Sequence, residues 1–358
     1  MNVSDSNDRL SGFDPNGVGE TGKLFGLPFD EESAEMVIIP VPWEVTVSYA
    51  SGTAKGPEAV LEASSQVDLF QQDIVDAWKM GICLLPLPEE LILENNKQRE
   101  LASNYIHWLE EGGQPSEKGR FGKIPKIINR ACENMNRWVY ETARQHLSKG
   151  KSVGLLGGDH STPLGLIKAL SEAVDDFGVL QIDAHADLRP AYEDFQYSHA
   201  SISYNFMQLP QISNLVQVGI RDFCEQEFEL AKSDSRIILH TADHIHAALF
   251  KGHSWDSICE GVISGLPPKI YLTIDIDGLD PKLCPHTGTP VPGGLEYPQL
   301  DYLVKKLVQS GREIIGFDIV EVAPGPDGDE WDANVGARLL YRMANLMGVS
   351  QGKLQWNS

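Results

Sequence analysis

The stretch Val179-Leu180-Gln181-Ile182-Asp183-Ala184-His185-Ala186-Asp187 runs from mainly apolar residues into three side chains that can bind a metal ion. A short, largely apolar run that does not alternate with polar residues is typical of a strand buried on both faces of a parallel sheet. Asp183, His185 and Asp187 are two residues apart, so they face the same way while the chain stays extended. This stretch therefore predicts a buried strand with a cluster of potential ligands at its carboxyl end.

Similar apolar runs recur along the chain and predict the other strands of the same sheet. The eight predicted strands cover residues 36–40, 82–85, 152–156, 179–183, 215–220, 236–239, 270–276 and 313–320. Helix-period patterns predict helices over 89–111, 125–149, 164–173, 254–264, 298–309 and 333–346. Because strands and helices alternate along most of the chain, we predict one α/β domain with a central, mainly parallel eight-stranded sheet between two layers of helices.

Two segments stand outside this alternation. Residues 1–30 are rich in Gly and Asp and are predicted to be an N-terminal extension that wraps the surface or reaches a neighbouring subunit. Residues 86–124 hold an acidic helical stretch and a polar loop, which we interpret as an insertion of unassigned purpose. No change of composition marks a linker, so residues 31–358, including the insertion, are predicted to form a single domain.

The composition excludes several classes of function. Lys and Arg number 29 against 51 Asp and Glu, and a net charge of −22 disfavours binding to nucleic acid or an anionic membrane surface, while tolerating a cationic substrate. The five cysteines are scattered without a CxxC pair, which fits a reducing compartment. There is no signal-peptide pattern and no apolar run near the length of about eighteen residues that a membrane span needs. A cytoplasmic location is therefore expected.

Two further strand ends carry potential ligands. One is Gly157-Gly158-Asp159-His160-Ser161, and the other is Thr273-Ile274-Asp275-Ile276-Asp277. In open α/β sheets, ligands bind beyond the carboxyl ends of the strands, where all three motifs end. Together the three motifs would bury two imidazoles and four carboxylates there. Without a neutralising charge, each unpaired buried ion would cost several kcal/mol of stability. If two of the carboxylates bridge, these side chains give two divalent cations about four ligands each.

The three motifs resemble the signature motifs of the ureohydrolase family, which includes arginase, agmatinase and formimidoylglutamase. They are GGDHS at 157–161, DAHAD at 183–187 and TIDIDGLDP at 273–281, and the Thr-Gly-Thr-Pro and Gly-Gly pairs of the mouth loop (residues 287–294) are similar to a loop of that family. The resemblance covers residues 36–348. It implies an arginase-like three-layer fold, a homotrimer or homohexamer, and a small cationic guanidino substrate.

The same resemblance implies a role for each residue. The six ligands would hold two divalent ions, Mn²⁺ or Ni²⁺: His160 and Asp187 the first, His185 and Asp277 the second, and Asp183 and Asp275 both. Glu321 resembles the family's guanidinium-binding glutamate, and His199 resembles its proton-shuttle histidine. A metal-bridging hydroxide would attack the guanidinium carbon, and Asp277 or His199 would protonate the departing nitrogen, so that urea is released.

The resemblance to this family leaves the identity of the substrate open. Ala200 follows His199 where typical agmatinases have Gly, and several stretches resemble an agmatinase-like subgroup that includes guanidine hydrolases. We therefore expect guanidine, hydrolysed to urea and ammonia, with agmatine or another guanidino compound as the alternative. Trp331, with Phe195 and Tyr197, could wall off a small pocket, although ordinary packing explains these aromatic residues equally well.

Two other classes of protein stay open. A hydrolase like the histone deacetylases shares an Asp-x-His motif but holds a single zinc, and the extra ligands Asp187 and Asp277 argue against it. A catalytically dead metal-binding scaffold is the non-enzymatic alternative. Outside the motifs, Cys284 is expected to be an ordinary loop residue, and a group of histidines is expected to lie at a surface or subunit contact: His240, His244, His246 and His253.

Overall fold

The β-strands follow the predicted apolar runs closely. The computed structural model describes Leu10 and residues 12–113 and 119–357. The strands within these residues are β1 (Met36–Val41), β2 (Ile74–Val75), β3 (Ile82–Leu84), β4 (Ser152–Gly157), β5 (Phe177–Ile182), β6 (Ile212–Val218), β7 (Ile237–His240), β8 (Lys269–Asp275), β9 (Glu313–Val320) and β10 (Gln355–Trp356). All eight predicted strands are present, and only the two-residue strands β2 and β10 were not predicted.

Eight of the strands form one parallel sheet in the order β3-β1-β4-β9-β8-β5-β6-β7. Every neighbouring pair in it is parallel, so the predicted sheet is confirmed. All residues of β1, β4 and β5 are buried, as expected for strands covered on both faces. The strands β4, β9, β8 and β5 are consecutive neighbours, and therefore their carboxyl ends meet at one edge of the sheet.

Helices cover both faces of this sheet. They are α1 (Gly56–Ser64), α2 (Glu89–Glu110), α3 (Ile124–Leu147), α4 (Leu164–Ala173), α5 (Ile202–Phe206), α6 (Glu225–Ser233), α7 (Ala242–Phe250), α8 (Trp255–Ser264), α9 (Tyr297–Gln309) and α10 (Trp331–Ser350). The six predicted helices are present, with α10 longer at both ends than expected. The four that were not predicted have nine residues or fewer, too short for a clear helical period.

Part of the predicted N-terminal extension belongs to the core. Leu24, Phe25, Leu27 and Phe29 are buried, and the Phe25 ring packs 4.8 Å from the ring of Tyr341 in α10. Residues 1–9 and 11 of that segment lie outside the described residues. The extension thus contributes apolar packing at least over residues 24–29.

The predicted insertion contains one long helix that packs on the domain. Helix α2 lies along α3, and the rings of Trp108 and Phe121 stack 5.0 Å apart on either side of the intervening loop. Residues 114–118 of this loop lie outside the described residues. Among the described helices, none has both the length and the apolar character needed to cross a membrane.

Candidate metal centre

The predicted ligands converge at the carboxyl edge of the four central strands. His160 follows β4 by three residues, and Asp183 comes directly after β5. Asp275 is the last residue of β8, and Asp277 lies in the short turn that follows it. Glu321 comes directly after β9. Adjacent parallel strands thus bring together residues that are up to 161 positions apart in the chain.

The ligand atoms form two groups that share Asp183. In the first, Nδ1 of His160 lies 3.0 Å from Oδ2 of Asp183, 3.2 Å from Oδ2 of Asp187 and 3.3 Å from Oδ2 of Asp275. In the second, Nδ1 of His185 lies 3.1 Å from Oδ2 of Asp277 and 3.6 Å from Oδ1 of Asp183. Each group offers at least three ligand atoms within 4.8 Å of one another. Each group has the composition and spacing to hold one cation.

Hydrogen bonds behind the ligands orient them. The amide Nε2 of Gln181 donates to Oδ2 of Asp183 at 2.8 Å. On the other side, Nε2 of His160 lies 2.9 Å from the hydroxyl of Thr273, which donates to Oδ1 of Asp318 at 2.9 Å. A metal-binding histidine is commonly held through its second ring nitrogen in this way. These hydrogen bonds therefore fix the orientation of the Asp183 and His160 side chains.

The electrostatics of this cluster favour bound cations. Burial, followed by the neighbouring charges of Asp277 and Asp183, raises the pKa of Asp275 well above its usual range. Burial and then Asp183 raise the pKa of Asp187 to about 7. Burial opposes the charge on His185, but Asp277 and Asp183 outweigh it and raise its pKa to about 12. The carboxylates thus repel one another in a buried site, and divalent cations would supply the missing positive charge.

Glu321 presents a free carboxylate oxygen beside the two groups. Its Oε1 accepts a hydrogen bond from the backbone N–H of His160 at 2.9 Å, whereas its Oε2 is buried and has no hydrogen-bond partner among the described residues. A Cβ built on Gly288 of the mouth loop would lie 3.4 Å from this Oε2. Burial and then Asp159 raise the pKa of Glu321 well above its usual value. This buried acceptor is suited to a cationic partner.

Backbone strain marks the same residues. Asp187 and Glu321 both adopt left-handed conformations, with φ of 53° and 61°. Such conformations are unfavourable for residues with a Cβ and concentrate at functional sites. Asp187 lies in the loop after β5, and Glu321 comes directly after β9.

A small cavity opens onto the cluster. Its volume is about 180 Å³, and its lining includes His185, Asp187, His199 and Thr289. The cavity wall also contains residues to which the sequence patterns assigned no role: Ser48, Arg189, Tyr192, Asp222, Phe223 and Glu227. Burial, followed by the charges on His185 and His160, lowers the pKa of His199 to about 3. The predicted shuttle histidine thus faces the cavity, and its burial disfavours the charged form of the imidazole.

One part of the cavity wall is an aromatic-guanidinium stack. The Arg189 guanidinium lies 4.9 Å from the ring centre of Tyr192, and its Nε is 3.5 Å from Oε2 of Glu227. Glu227 in turn accepts hydrogen bonds from the backbone N–H groups of Leu188 and Cys224. The stack is therefore held by a buried carboxylate of the same wall.

The three aromatic residues suggested as a pocket wall lie elsewhere. Trp331 begins α10, is 46% exposed and donates its Nε1–H to the carbonyl of Lys282, so it does not line this cavity. Phe195 is buried, with its ring 5.6 Å from Tyr105, and Tyr197 packs against the core. The packing interpretation suits Phe195 and Tyr197, while a substrate contact of Trp331 stays a prediction.

The other residues considered from the sequence lie outside the metal groups. Cys284 is buried and donates its thiol hydrogen to the carbonyl of Ile276 at 3.1 Å, as expected for an ordinary loop residue. None of the four predicted peripheral histidines belongs to a group of metal-ligand atoms within the described residues.

Comparisons with known proteins agree with this geometry. The family whose model matches is the arginase family, over residues 34–345. The N(1)-aminopropylagmatine ureohydrolase of Thermus thermophilus is 34% identical over 90% of this chain and 94% of its own length. The agmatinase of Bacillus subtilis is 27% identical over 90% of this chain and 96% of its own length.

A solved structure shows the same fold. The agmatine ureohydrolase of Thermoplasma volcanium superimposes with a TM-score of 0.69 and 22% identity, covering 97% of this chain and 99% of that one. The family match spans most of the chain and contains all the predicted ligands. The chain therefore belongs to the arginase family.

Proposed function

We propose that this protein is a ureohydrolase that cleaves a C–N bond of a small guanidino compound and releases urea, with guanidine as the best candidate substrate. The observation that carries this proposal is the unpartnered, buried Oε2 of Glu321 beside two adjoining groups of metal ligands. A guanidinium is planar and cationic, and carboxylates bind it through charge-assisted hydrogen bonds. Hydrolysis of guanidine would give urea and ammonia.

Two divalent cations fit the ligand set. His160, Asp183, Asp187 and Asp275 would hold one, and His185 and Asp277 would hold the other together with Asp183 and Asp275. Two such ions would supply a nucleophile at neutral pH by lowering the pKa of a bound water to about 7. A mixed imidazole and carboxylate set suits Mn²⁺ or Ni²⁺ and lacks the three-ligand pattern typical of catalytic zinc.

The protein's own residues would bind the substrate and manage its protons. Glu321 would hold the guanidinium with its carbon facing the ligand cluster. As a C–O bond forms and a C–N bond breaks, the departing nitrogen takes up a proton and leaves as ammonia or an amine. His199 faces the cavity and Asp277 lies in the cluster, so either side chain could pass on this proton.

The size of the cavity favours a compact substrate. Its volume of about 180 Å³ is well below the range of roughly 300–1,000 Å³ that is usual for ligand pockets. The stack of Arg189 on Tyr192 forms part of the cavity wall, and the Arg189 guanidinium, which is paired with Glu227, adds a positive charge to it. Agmatine is the second candidate, because the relatives described above are named for agmatine and aminopropylagmatine.

A substrate panel tests the proposal. Urea release should be measured with the protein loaded separately with Mn²⁺ and Ni²⁺, against guanidine, agmatine, arginine and 4-guanidinobutyrate, together with the metal content per chain. Guanidine turnover far above the rest would support the compact-substrate proposal and identify the metal. Faster turnover of agmatine would keep the ureohydrolase and replace the substrate. Two bound ions without turnover of any guanidino compound would favour a metal-binding scaffold, and a single bound zinc would favour a deacetylase-like hydrolase.

Removing part of the cavity wall should broaden the substrate range. In Tyr192→Ala the wall loses its ring, so we expect turnover of agmatine relative to guanidine to rise about tenfold, the scale expected when a pocket gains room for a few carbon atoms. Trp331→Ala is the matched aromatic variant, since the sequence-based prediction assigns the wall to that residue. Broadening in Trp331→Ala alone would show that Trp331, rather than Tyr192, limits the length of the substrate.

A further inference from the structure

Helix α2, within the predicted insertion, supports a segment beside the metal centre. We call residues 44–51 the rim segment. The Nη1 of Arg99 donates hydrogen bonds to the carbonyl of Val47 and, at 3.3 Å, to the carbonyl of Val45. Its Nη2 donates to the hydroxyl of Ser51 at 2.9 Å. One helical turn earlier, Oδ1 of Asn95 accepts the backbone N–H of Glu44 at 2.8 Å. Two residues of α2 thus hold the whole length of the rim segment.

The rim segment in turn contacts the site. The Thr46 hydroxyl accepts the backbone N–H of His199 at 3.3 Å and donates to Oδ2 of Asp159 at 3.5 Å. Ser48 lines the cavity. The N–H of Ala50 donates to the carbonyl of Gly288 in the mouth loop at 3.4 Å. The rim segment therefore touches the predicted shuttle histidine, the cavity and the mouth loop.

Few other groups could replace the hydrogen bonds that α2 makes to the rim segment. Among the described residues, no backbone N–H donates to the carbonyl of Val45 or Val47, so Arg99 is their donor. A carbonyl that loses its only donor in a partly buried position is unfavourable and drives the local backbone to rearrange. Arg99 and Asn95 are four residues apart and so lie on the same face of α2.

We propose that Arg99 and Asn95 are positioning residues for the hydrolytic reaction, because they hold the rim segment and, through Thr46, the location of His199 at the cavity. The role rests on the proposed ureohydrolase activity. It also assigns a purpose to the predicted insertion: its helix braces one side of the active-site cavity. Neither residue lines the cavity itself.

The test compares Arg99→Met and Arg99→Lys with Lys97→Met, a matched control on the same helix whose side chain is 71% exposed. In Arg99→Met we expect kcat on the best substrate to fall ten- to hundredfold, the scale of a misplaced active-site group, with a smaller change in KM. Both metal ions should be retained, and amide hydrogen exchange should become faster over residues 44–51. Arg99→Lys keeps a donor for the carbonyls and should be intermediate.

Several outcomes would overturn this role. An unchanged kcat in Arg99→Met would do so, as would a lower kcat without faster exchange in the rim segment. If Arg99→Met fails to fold, Arg99→Lys and Asn95→Ala provide the same comparison. Hydrogen exchange also separates the two proposals: a wild type that turns over no guanidino compound would refute the proposed function, while exchange in the variants would still report whether α2 holds the rim segment.

Discussion

Asp183→Asn should lose activity and most of the binding of both divalent ions. Asp183 is the residue shared by the two ligand groups, with its two oxygens 3.0 Å from Nδ1 of His160 and 3.6 Å from Nδ1 of His185. Removing a group that merely orients a ligand lowers metal affinity about 10- to 100-fold, so the loss of a shared ligand should exceed this. Metal content per chain and urea release, measured on the same preparation, check the expectation.

Asp176→Asn is the matched control, because Asp176 is exposed just before β5, the strand that leads into Asp183. It should keep both ions and full activity. His185→Ala removes a residue of one group only, so we expect it to lose mainly one ion. If Asp183→Asn kept two tightly bound ions, the two groups would not be the cation sites, and the mechanism proposed above would lose its basis.

The location of the candidate site follows from local sequence patterns. Apolar runs at 152–156, 179–183, 270–276 and 313–320 each contain an acidic residue near their end or are followed within four residues by an acidic residue or a histidine, and parallel strands place their carboxyl ends at one edge of a sheet. The structure confirms the parallel sheet and makes these four strands neighbours. Asp183 and Asp275 therefore lie near each other because of the sheet and not because of any motif that joins them.

The walls of the cavity could not be predicted in this way. Tyr192 and Arg189 lie in an irregular loop, where neither a period of two nor one of 3.6 constrains the direction of a side chain. The contact of Arg99 with Val47 joins residues 52 positions apart, and nothing in either local sequence indicates it. The strands β2 and β10 have two residues each, too few for a pattern. Features that depend on loops and tertiary contacts required the structure.

Glu321→Gln should lower kcat/KM for every guanidino substrate by about 100-fold or more while both metal ions stay bound. Hydrogen bonds to a charged group contribute about 1.5–3 kcal/mol each. The loss of two such bonds, when a neutral amide replaces the carboxylate, corresponds to a decrease in kcat/KM of about 100-fold or more. Glutamine has nearly the same shape, and its Oε1 can still accept the N–H of His160, which Glu321 accepts at 2.9 Å. The glutamine Nε2–H₂, however, is a hydrogen-bond donor, and it cannot accept the N–H groups of a guanidinium. Steady-state kinetics with guanidine and agmatine measure the effect.

Metal content decides how a loss of activity in Glu321→Gln is interpreted. Because Glu321 contacts the backbone of His160, a variant that lost its ions would be acting through the ligand cluster rather than through the substrate. Glu330→Gln, an exposed change of the same type a few residues away, should leave kcat/KM unchanged. Retained kcat/KM in Glu321→Gln would mean that the buried Oε2 does not bind the guanidinium. The substrate would then have to be held by another carboxylate of the cavity wall, such as that of Asp222.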